Sequence, residues 1–510
     1  MYRIGRMPRW FLVMAVGALL LIVAQSCGPG APAPTSTAAP PPSPTVAPSP
    51  TPVPPTATVS PSDCRACHQD TFSNWTNGAH AKTQADVAKE LGQSRSDQTP
   101  KDVIAGTDPE DCIACHSPKA VTVAGVASET DALGYFFSTT DGKFTADTQP
   151  LHTTEWPQIS CATCHNVPDN HQTAKLSFGL FNSQTASFTA IQDSSKVCGQ
   201  CHGNLLIAGT DHQVYNAWTT SKHAATQDDV AKELGASRSG QSADDVINGQ
   251  DSENCIACHA PTAVLANGGM TESQALSYFF TATDGKFTAN TASDHAAEWP
   301  HVSCTSCHDP HNPGTPAYFN SSTKAYEPMK TSSELCGQCH GNLRFPKTDH
   351  LSYNINAGTG GMNVPDQQMT PKVACTDCHM YVSGVDGSNS TKFGGHTWAV
   401  TVKEANGQVT SSCIHCHADW TTAKSASTVD QLKAQFQAQD TKAQDIVDRA
   451  SKAMEGVSTP ALQDKLNEAQ FNLKYAESDE SGGFHNHTYL MALLNDAIQR
   501  AQEILTALGK

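Results

Sequence analysis

Apolar residues crowd the start of the chain, give way to a stretch that cannot pack, and fall into helical register near its end. Three arginines (Arg3, Arg6, Arg9) precede the unbroken run "WFLVMAVGALLLIVA", which is followed by "QSC". A basic region, a hydrophobic core and a small residue before a cleavage point are the parts of a secretory signal. A permanent membrane helix is the other reading of so short a run. The cysteine directly after Ser26 favours a lipoprotein signal over residues 1–26, with Cys27 taking lipid. Residues 28–62 consist largely of Pro, Ala, Thr and Ser and carry no charge until Asp63. Such a stretch buries no core, so 27–62 reads as a lipidated cysteine on an extended tether, holding a soluble body off a membrane. No later segment is apolar enough to cross a membrane.

Helical periodicity marks the last ninety or so residues. Val429, Leu432, Phe436, Ala443, Ile446 and Val447 fall near one face of a helix that ends at Gly456. A second helix starts with Ser458 or Thr459 as cap and Pro460 in its first turn. A third, from His485, carries Leu490, Leu493, Leu494, Ala497, Ile498, Ala501, Ile504 and Leu505 on one side. Region 421–510 is therefore expected to be a helical hairpin or bundle.

Between these ends the chemistry is set by cysteine. The unit Cys-x-x-Cys-His occurs nine times, as Cys64/Cys67, Cys112/Cys115, Cys161/Cys164, Cys198/Cys201, Cys255/Cys258, Cys304/Cys307, Cys336/Cys339, Cys375/Cys378 and Cys413/Cys416. These pairs use all of the nineteen cysteines except Cys27. Disulfides, zinc ribbons and thioredoxin-like pairs explain two-residue spacing, but not a histidine after every second cysteine. Covalent c-type haem does. Two thiols add to the porphyrin vinyl groups, and the adjacent histidine ligates the iron. The expected cofactor is nine haem c groups, with His68, His116, His165, His202, His259, His308, His340, His379 and His417 as proximal ligands.

One haem per forty residues or so leaves little room for an ordinary hydrophobic core, and the apolar fraction is only 38%. The interior is expected to be largely porphyrin, with neighbouring haems close enough for electrons to hop. The net charge of −17 makes a nucleic-acid or anionic-lipid surface an unsuitable partner.

The middle of the chain is a tandem duplication. "NWTNGAHAKTQADVAKELGQSR" returns as "AWTTSKHAATQDDVAKELGASR", "YFFSTTDGKF" as "YFFTATDGKF", and "EWPQISCATCH" as "EWPHVSCTSCH". Residues 63–212 form a first haem block, 213–350 its duplicate, and 351–420 the last two haems. Thirteen histidines lie outside the proximal set. Four pairs persist through the duplication: His80/His223, His152/His295, His212/His350 and, with shifted spacing, His171/His311. Neutral imidazole is a usual sixth ligand of low-spin haem iron, which makes these the distal candidates. His301, His415 and His487 have no counterpart and are expected to meet solvent or propionate.

"CIACHSPKAV", "CIACHAPTAV", "CGQCH", "VACTDCHM" and "GGFHNHTYLMALLNDAIQRAQEIL" resemble segments of the superfamily of ammonia-forming cytochrome c nitrite reductase, with its octahaem and hydroxylamine-oxidising relatives. The likeness spans roughly 64–510. It implies His485 as distal ligand of the Cys375 haem, His396 of "GGHTW" for the Cys304 haem, and His80 and His223 for the Cys198 and Cys336 haems. It also implies a homodimer through the C-terminal helices. Arg95 and Arg238 fall near the place of that family's catalytic arginine, and His212 and His350 near its catalytic histidine. Where the reductase has lysine at its catalytic haem, this chain has His116 and His259. Where the family has a glutamate and a tyrosine after "CGQCH", this chain reads "GNL". The family's distal histidine for the last haem is absent from "VPDQQMTPKVACTDCH". His350 or another spare histidine, Met369 (or Met362), or an empty position are the three ways to complete the Cys413 haem.

The resulting expectation is a mostly α protein with long irregular loops wrapped around a covalent multihaem chain, ending in a bundle of long helices. Its function is expected to be electron transfer in respiration, at or outside the cell surface, with redox proteins or a terminal acceptor as partners and a lipid anchor to the membrane. The alternative is a nitrite or hydroxylamine reductase with its catalytic haem at Cys255 or Cys112, using Arg238 and His350 at the former.

Overall fold

A computed structural model describes residues 64–510 apart from 106–111, 156–157, 167–176, 211, 250–253, 296–297, 299–300, 313, 315, 347, 382–394 and 404–408. The signal, Cys27 and the tether lie outside the described residues, as does His171. Among the described residues, no helix is long and apolar enough to cross a membrane.

The fold is mostly helical, and the duplication is visible element by element. Helices Thr83–Gln93 and Thr226–Ala236 are equivalent, as are Glu129–Phe136 and Glu272–Phe279. Each of the first two follows a short 3₁₀ turn, Ala79–Lys82 or Lys222–Ala225, that carries His80 or His223. Matching long-range hydrogen bonds fix the two copies. Trp75 Nε1 donates to the Ile159 carbonyl at 2.8 Å and Trp218 Nε1 to that of Val302 at 2.9 Å. Thr83 Oγ1 donates to the His116 carbonyl at 2.7 Å and Thr226 Oγ1 to that of His259 at 2.6 Å. Strands are few and short. They form antiparallel pairs such as Ser177–Asn182 with Ser187–Ala190 and Ala317–Asn320 with Ala325–Pro328.

The expectation that haem density would exclude an ordinary apolar core needs correction. Each block builds one. In the first, Val87, Leu91, Ile113, Leu133, Phe136, Phe137 and Phe144 are at most 1% exposed. In the second, Val230, Leu234, Ile256, Leu276, Phe279, Phe280 and Phe287 take the same places. The "YFF" and "DGKF" segments lie between widely spaced motifs, and that spacing leaves enough chain to bury aromatics against the Cys-Ile-Ala-Cys-His turn. Large side chains buried this way contribute about 1.5–3 kcal/mol each.

The C-terminal region is three helices, Thr422–Ala453, Pro460–Glu477 and His487–Ala507. Phe436, Ile446, Val447, Leu466, Leu473, Leu490, Leu493, Leu494, Ile498 and Ile504 form their shared core. Val429 and Leu432, read as part of the same face, are only half-buried. The bundle grips the loop that leads to the Cys375 motif. Tyr475 Oη donates to the Thr359 carbonyl at 2.8 Å, and the Gly361 N–H donates to Tyr489 Oη at 2.7 Å. Asn472 holds both backbone groups of Met362, at 2.7 and 2.9 Å. Gly360 is required here: its φ is 97°, and a Cβ would stand 2.2 Å from Tyr475 Oη.

Candidate haem array

Each motif is wound into a single turn. The backbone N–H of the histidine donates to the carbonyl of the first cysteine at 2.8–3.0 Å in His68, His202, His308, His340 and His417, and that of His165 makes the same bond to Cys161. One turn places two thiols and an imidazole on a common side. Polar residues just before the first cysteine start several of these turns. Ser160 N–H donates to Thr163 Oγ1 at 3.1 Å and Ser303 N–H to Ser306 Oγ at 3.0 Å, while Asn254 Oδ1 accepts from Ala257 N–H at 3.0 Å.

Opposite five of the motif histidines stands a second imidazole. His80 faces His202 with ring centres 6.2 Å apart, His223 faces His340 at 6.2 Å, and His396 faces His308 at 6.2 Å. His311 faces His165 at 6.3 Å, and His485 faces His379 at 6.0 Å. Rings in direct contact would be closer. Two metal–imidazole bonds of about 2 Å each, plus about 1 Å from each nitrogen to its ring centre, span about 6 Å. The gap therefore fits one metal ion between each pair.

Burial keeps seven of these rings in the neutral form that binds metal. It pushes His165, His202, His223 and His396 down to about 4, with neighbouring histidines adding to the effect. Burial also lowers His80, His308 and His379. Hydrogen bonds at Nδ1 orient several rings and leave Nε2 for the metal. The Trp398 carbonyl is 3.1 Å from His379 Nδ1, Asp479 Oδ1 is 2.8 Å from His485 Nδ1, and Asp309 Oδ1 is 3.4 Å from His311 Nδ1. Burial pushes the Asp479 carboxyl up, but hydrogen bonding and charge from His485, with bonds from Ser481 and Gly483, outweigh it and hold the group low.

The motifs touch one another through their thiols. Five pairs come within hydrogen-bonding reach: Cys64 with Cys161, Cys115 with Cys201, Cys198 with Cys304, Cys258 with Cys339, and Cys336 with Cys375. Cys378 lies near Cys413 and Cys416, Cys164 near Cys198, and Cys307 near Cys336. Two of the junctions are fastened in the same way. The Cys304 N–H donates to Ser195 Oγ at 3.2 Å and the Cys375 N–H to Ser333 Oγ at 3.2 Å. Followed in order, the contacts run Cys64, Cys161, Cys198, Cys304, Cys336, Cys375, Cys413. The Cys112 motif branches from Cys198, and the Cys255 motif from Cys336.

Both ends of this line are more open than its middle. Cys67, read as a haem-attachment thiol like the rest, is exposed, and so is Cys416 at the opposite end. The other motif cysteines are buried or half-buried. His68 and His417, the adjacent proximal histidines, are exposed as well. The openness has a simple geometric cause. An inner motif is covered by neighbours on two sides, whereas the Cys64 motif has one neighbour in the line, with Cys64 against Cys161 and His68 near His165, and Cys67 faces outward. An exposed thiol next to an exposed imidazole still suits attachment, and a haem held there would meet solvent on that side.

The remaining histidines are placed differently. His350 lies beside His259 and Cys258 of the Cys255 motif, and its Nδ1 is 2.7 Å from Glu480 Oε1. The Glu480 hydrogen bond pushes its pKa up to about 9. His212 lies near His202. His152 and His295 stack on Tyr135 and Tyr278, each at 3.9 Å, and approach Glu155 and Glu298 at 2.9 and 3.8 Å. Their ring partners are thus tyrosines rather than motif imidazoles. His415 packs on Tyr381 at 4.4 Å, and His487 Nδ1 is 2.8 Å from the Gly483 carbonyl. At the last motif, His417 stacks on Trp420 at 4.0 Å. Met369 is half-buried, two residues past Gln367, whose carbonyl accepts from Asn486 Nδ2 at 2.7 Å. Met362 is 39% exposed.

Equivalent positions 158 and 301 adopt the left-handed backbone, with φ of 42° and 38°. Each buries a polar atom, Gln158 Oε1 or His301 Nδ1, that has no hydrogen-bond partner among the described residues. Unpartnered buried polar groups are costly, and a haem propionate is a suitable partner for both. The residues present therefore fit covalent haem: thiol pairs, iron-width imidazole gaps and buried polar atoms without partners.

Comparison with known proteins agrees. The cytochrome c552 family matches residues 72–241 and 367–510, more than half of the chain. The chain belongs to the cytochrome c552 family. It is a multihaem c-type cytochrome with covalently bound haem c and its iron. A doubled CXXCH motif matches within this cytochrome at residues 300–345, and cytochrome c554 and c-prime at 197–309. No curated protein matches the cytochrome. Solved structures resemble it only remotely. The outer cell wall cytochrome OcwA is 18% identical, with a TM-score of 0.44 over 86% of this chain and 98% of that one. An undecahaem cytochrome from the S-layer of Carboxydothermus ferrireducens is 17% identical, with a TM-score of 0.40 over 90% and 70%. The cytochrome c nitrite reductase from Desulfovibrio desulfuricans is 18% identical, with a TM-score of 0.34 over 57% and 70%.

Asp479 and Glu480 were missed in the sequence. Both stand in the loop between two C-terminal helices, and Glu480 meets a histidine 130 residues away. The acidic pair directly before "SGGFH" was the available signal.

Proposed function

We propose that the cytochrome is a nonahaem electron conduit, exported and tethered by lipid at Cys27, that carries electrons in respiration to or from an acceptor at or beyond the cell surface. The observation that carries this reading is the junction order. Thiol contacts join seven motifs into one line and hang the Cys112 and Cys255 motifs from it. When bound, haem supplies reversible one-electron chemistry. The chain supplies spacing through the thiol junctions, neutral imidazole through burial, and fixed ring orientation through Asp479, Asp309 and the Trp398 carbonyl. The exposed end motifs, with Cys67 and Cys416, suit entry and exit of electrons by contact with partners. The half-buried stripe of Val429 and Leu432 suits a homodimer contact through the Thr422–Ala453 helix.

Completing the ligand sets follows one rule. The histidine shortly after the Cys304 motif, His311, faces the Cys161 motif, and the one after the Cys375 motif, His396, faces the Cys304 motif. The same rule assigns His171, shortly after the Cys161 motif, to the Cys64 haem. His212 and His350 then serve the Cys112 and Cys255 haems, Met369 the Cys413 haem, and His152 and His295 are left as surface residues. Intact-mass measurement of protein matured with a full haem-attachment system is expected to give nine covalent haems and no free thiol in the body. Seven or fewer would refute the reading.

A second reading is an ammonia-forming nitrite or hydroxylamine reductase. The placement of His350 beside His259, on a motif at the end of a branch, favours it at Cys255, with Arg238 as the cationic group and Cys112 as the equivalent site. It requires an iron without a protein sixth ligand.

A further inference from the structure

Glu480 is one residue with two histidine partners. Its Oε1 is 2.7 Å from His350 Nδ1, and its Oε2 is 3.7 Å from Nδ1 of His340, the proximal histidine of the Cys336 motif. His340 belongs to the main line of motifs, whereas His350 lies against the Cys255 branch. Their thiols meet at the Cys258–Cys339 junction. The preceding residue, Asp479, holds His485 opposite the Cys375 motif. Asp479 also accepts from the Gly483 N–H at 2.9 Å, which fixes the loop that presents Glu480. One loop of the C-terminal bundle thus lays two consecutive carboxylates on three histidines that stand at three neighbouring motifs.

We infer that Glu480 is a positioning residue that couples the Cys255 and Cys336 haems, with one oxygen hydrogen-bonded to His350 and the other in ion-pair range of His340, a ligand of each. A carboxylate at Nδ1 raises the basicity of an imidazole ligand, and a more basic ligand favours ferric iron. Its negative charge acts in the same direction on both irons. Both potentials are therefore set lower by the same side chain, and a change in one histidine's hold on Glu480 is felt by the other. The duplication ends before this loop, which occurs once in the chain. Among the described residues, Glu480 pairs with His340 and His350 of the second block, so duplicated haem sites are made unequal by a residue outside the duplication. Arg344 adds to the difference. It stacks on Tyr318 at 4.9 Å and pairs with Glu327 at 3.6 Å, beside Cys258, where the first block has Leu206 and Leu180.

This inference rests on the reading that both motifs carry haem and that His350 is a sixth ligand, so the mass of each variant is measured first. Potentiometric titration of nine-haem Glu480→Gln protein is expected to show two potentials shifted to more positive values, with the others in place. Glu480→Asp, which keeps the charge on a shorter arm, should return both part of the way. In His350→Gln, Glu480 is left to His340 alone, and the Cys336 haem should become harder to reduce. A Glu480→Gln protein with nine haems and unmoved potentials overturns the inference. So does one in which a single potential moves, because the coupling requires both. A count of seven haems or fewer in the wild type would instead count against the conduit reading.

Discussion

Replacing His223 with alanine is expected to convert one iron in nine from low-spin to high-spin or water-ligated. About one ninth of the low-spin signal should be lost in electron-spin and visible spectra, and one potential should shift. His223 sits on a 3₁₀ turn, with its ring 6.2 Å from that of His340 and its edge against Trp398 at 4.4 Å. The turn is anchored independently of the ring, through the Val302 N–H to the His223 carbonyl at 3.2 Å. Alanine therefore removes the ligand without removing the anchor. Added imidazole should refill the vacated position and restore the low-spin signal, an outcome that a general loss of structure would not give. His80→Ala should behave alike at the Cys198 haem, because Ile159 N–H holds the His80 carbonyl at the same 3.2 Å. A spectrum identical to wild type in either variant would count against the pairing.

Replacing Met369 with leucine is expected to remove a near-infrared methionine-to-iron band and to lower the highest potential in the protein. The last motif differs from the others. His417 has Trp420 stacked on it at 4.0 Å, and His350 is committed to Glu480 beside the Cys255 motif. Met362 is held by both backbone groups to Asn472, with an exposed side chain. Met369 is the remaining soft donor in the segment. A thioether ligand raises potential relative to bis-histidine coordination, which would make the Cys413 haem the electron sink at its end of the line. Leucine conserves volume, so packing should change little. An unchanged titration and spectrum would rule out thioether ligation.

What was legible in the sequence follows from how far each constraint reaches along the chain. The nine motifs are local and covalent, so five residues state each one. Their surroundings are not local, which is why nothing in "CRACH" distinguishes the exposed Cys67 from the enclosed thiols of the inner motifs. The helices after residue 421 were readable because Phe436, Ile446 and Leu490 through Leu505 keep a regular period. Duplication singled out His80 and His223, since two copies of a side chain in register suggest a shared role. It singled out His152 and His295 equally well, and the structure stacks those on Tyr135 and Tyr278. Register alone does not say which of these histidines comes to face a motif imidazole. The apolar cores were hidden for a different reason. Leu133, Phe136 and Phe144 are few in number, and an average composition does not reveal that they converge on Ile113. Glu480 was hidden by distance, since only the folded bundle brings it to His340 and His350.

The conduit reading and the reductase reading part at one observable, the spin state of the nine irons before and after nitrite is added. Low-temperature electron-spin and magnetic circular dichroism spectra of the intact holoprotein report it directly. An array in which His80, His223, His311, His396 and His485 face their motif histidines, with His171, His212, His350 and Met369 completing the rest, predicts nine low-spin irons and no change with nitrite. A high-spin iron at the Cys255 or Cys112 haem that binds nitrite would contradict it and make the cytochrome an enzyme.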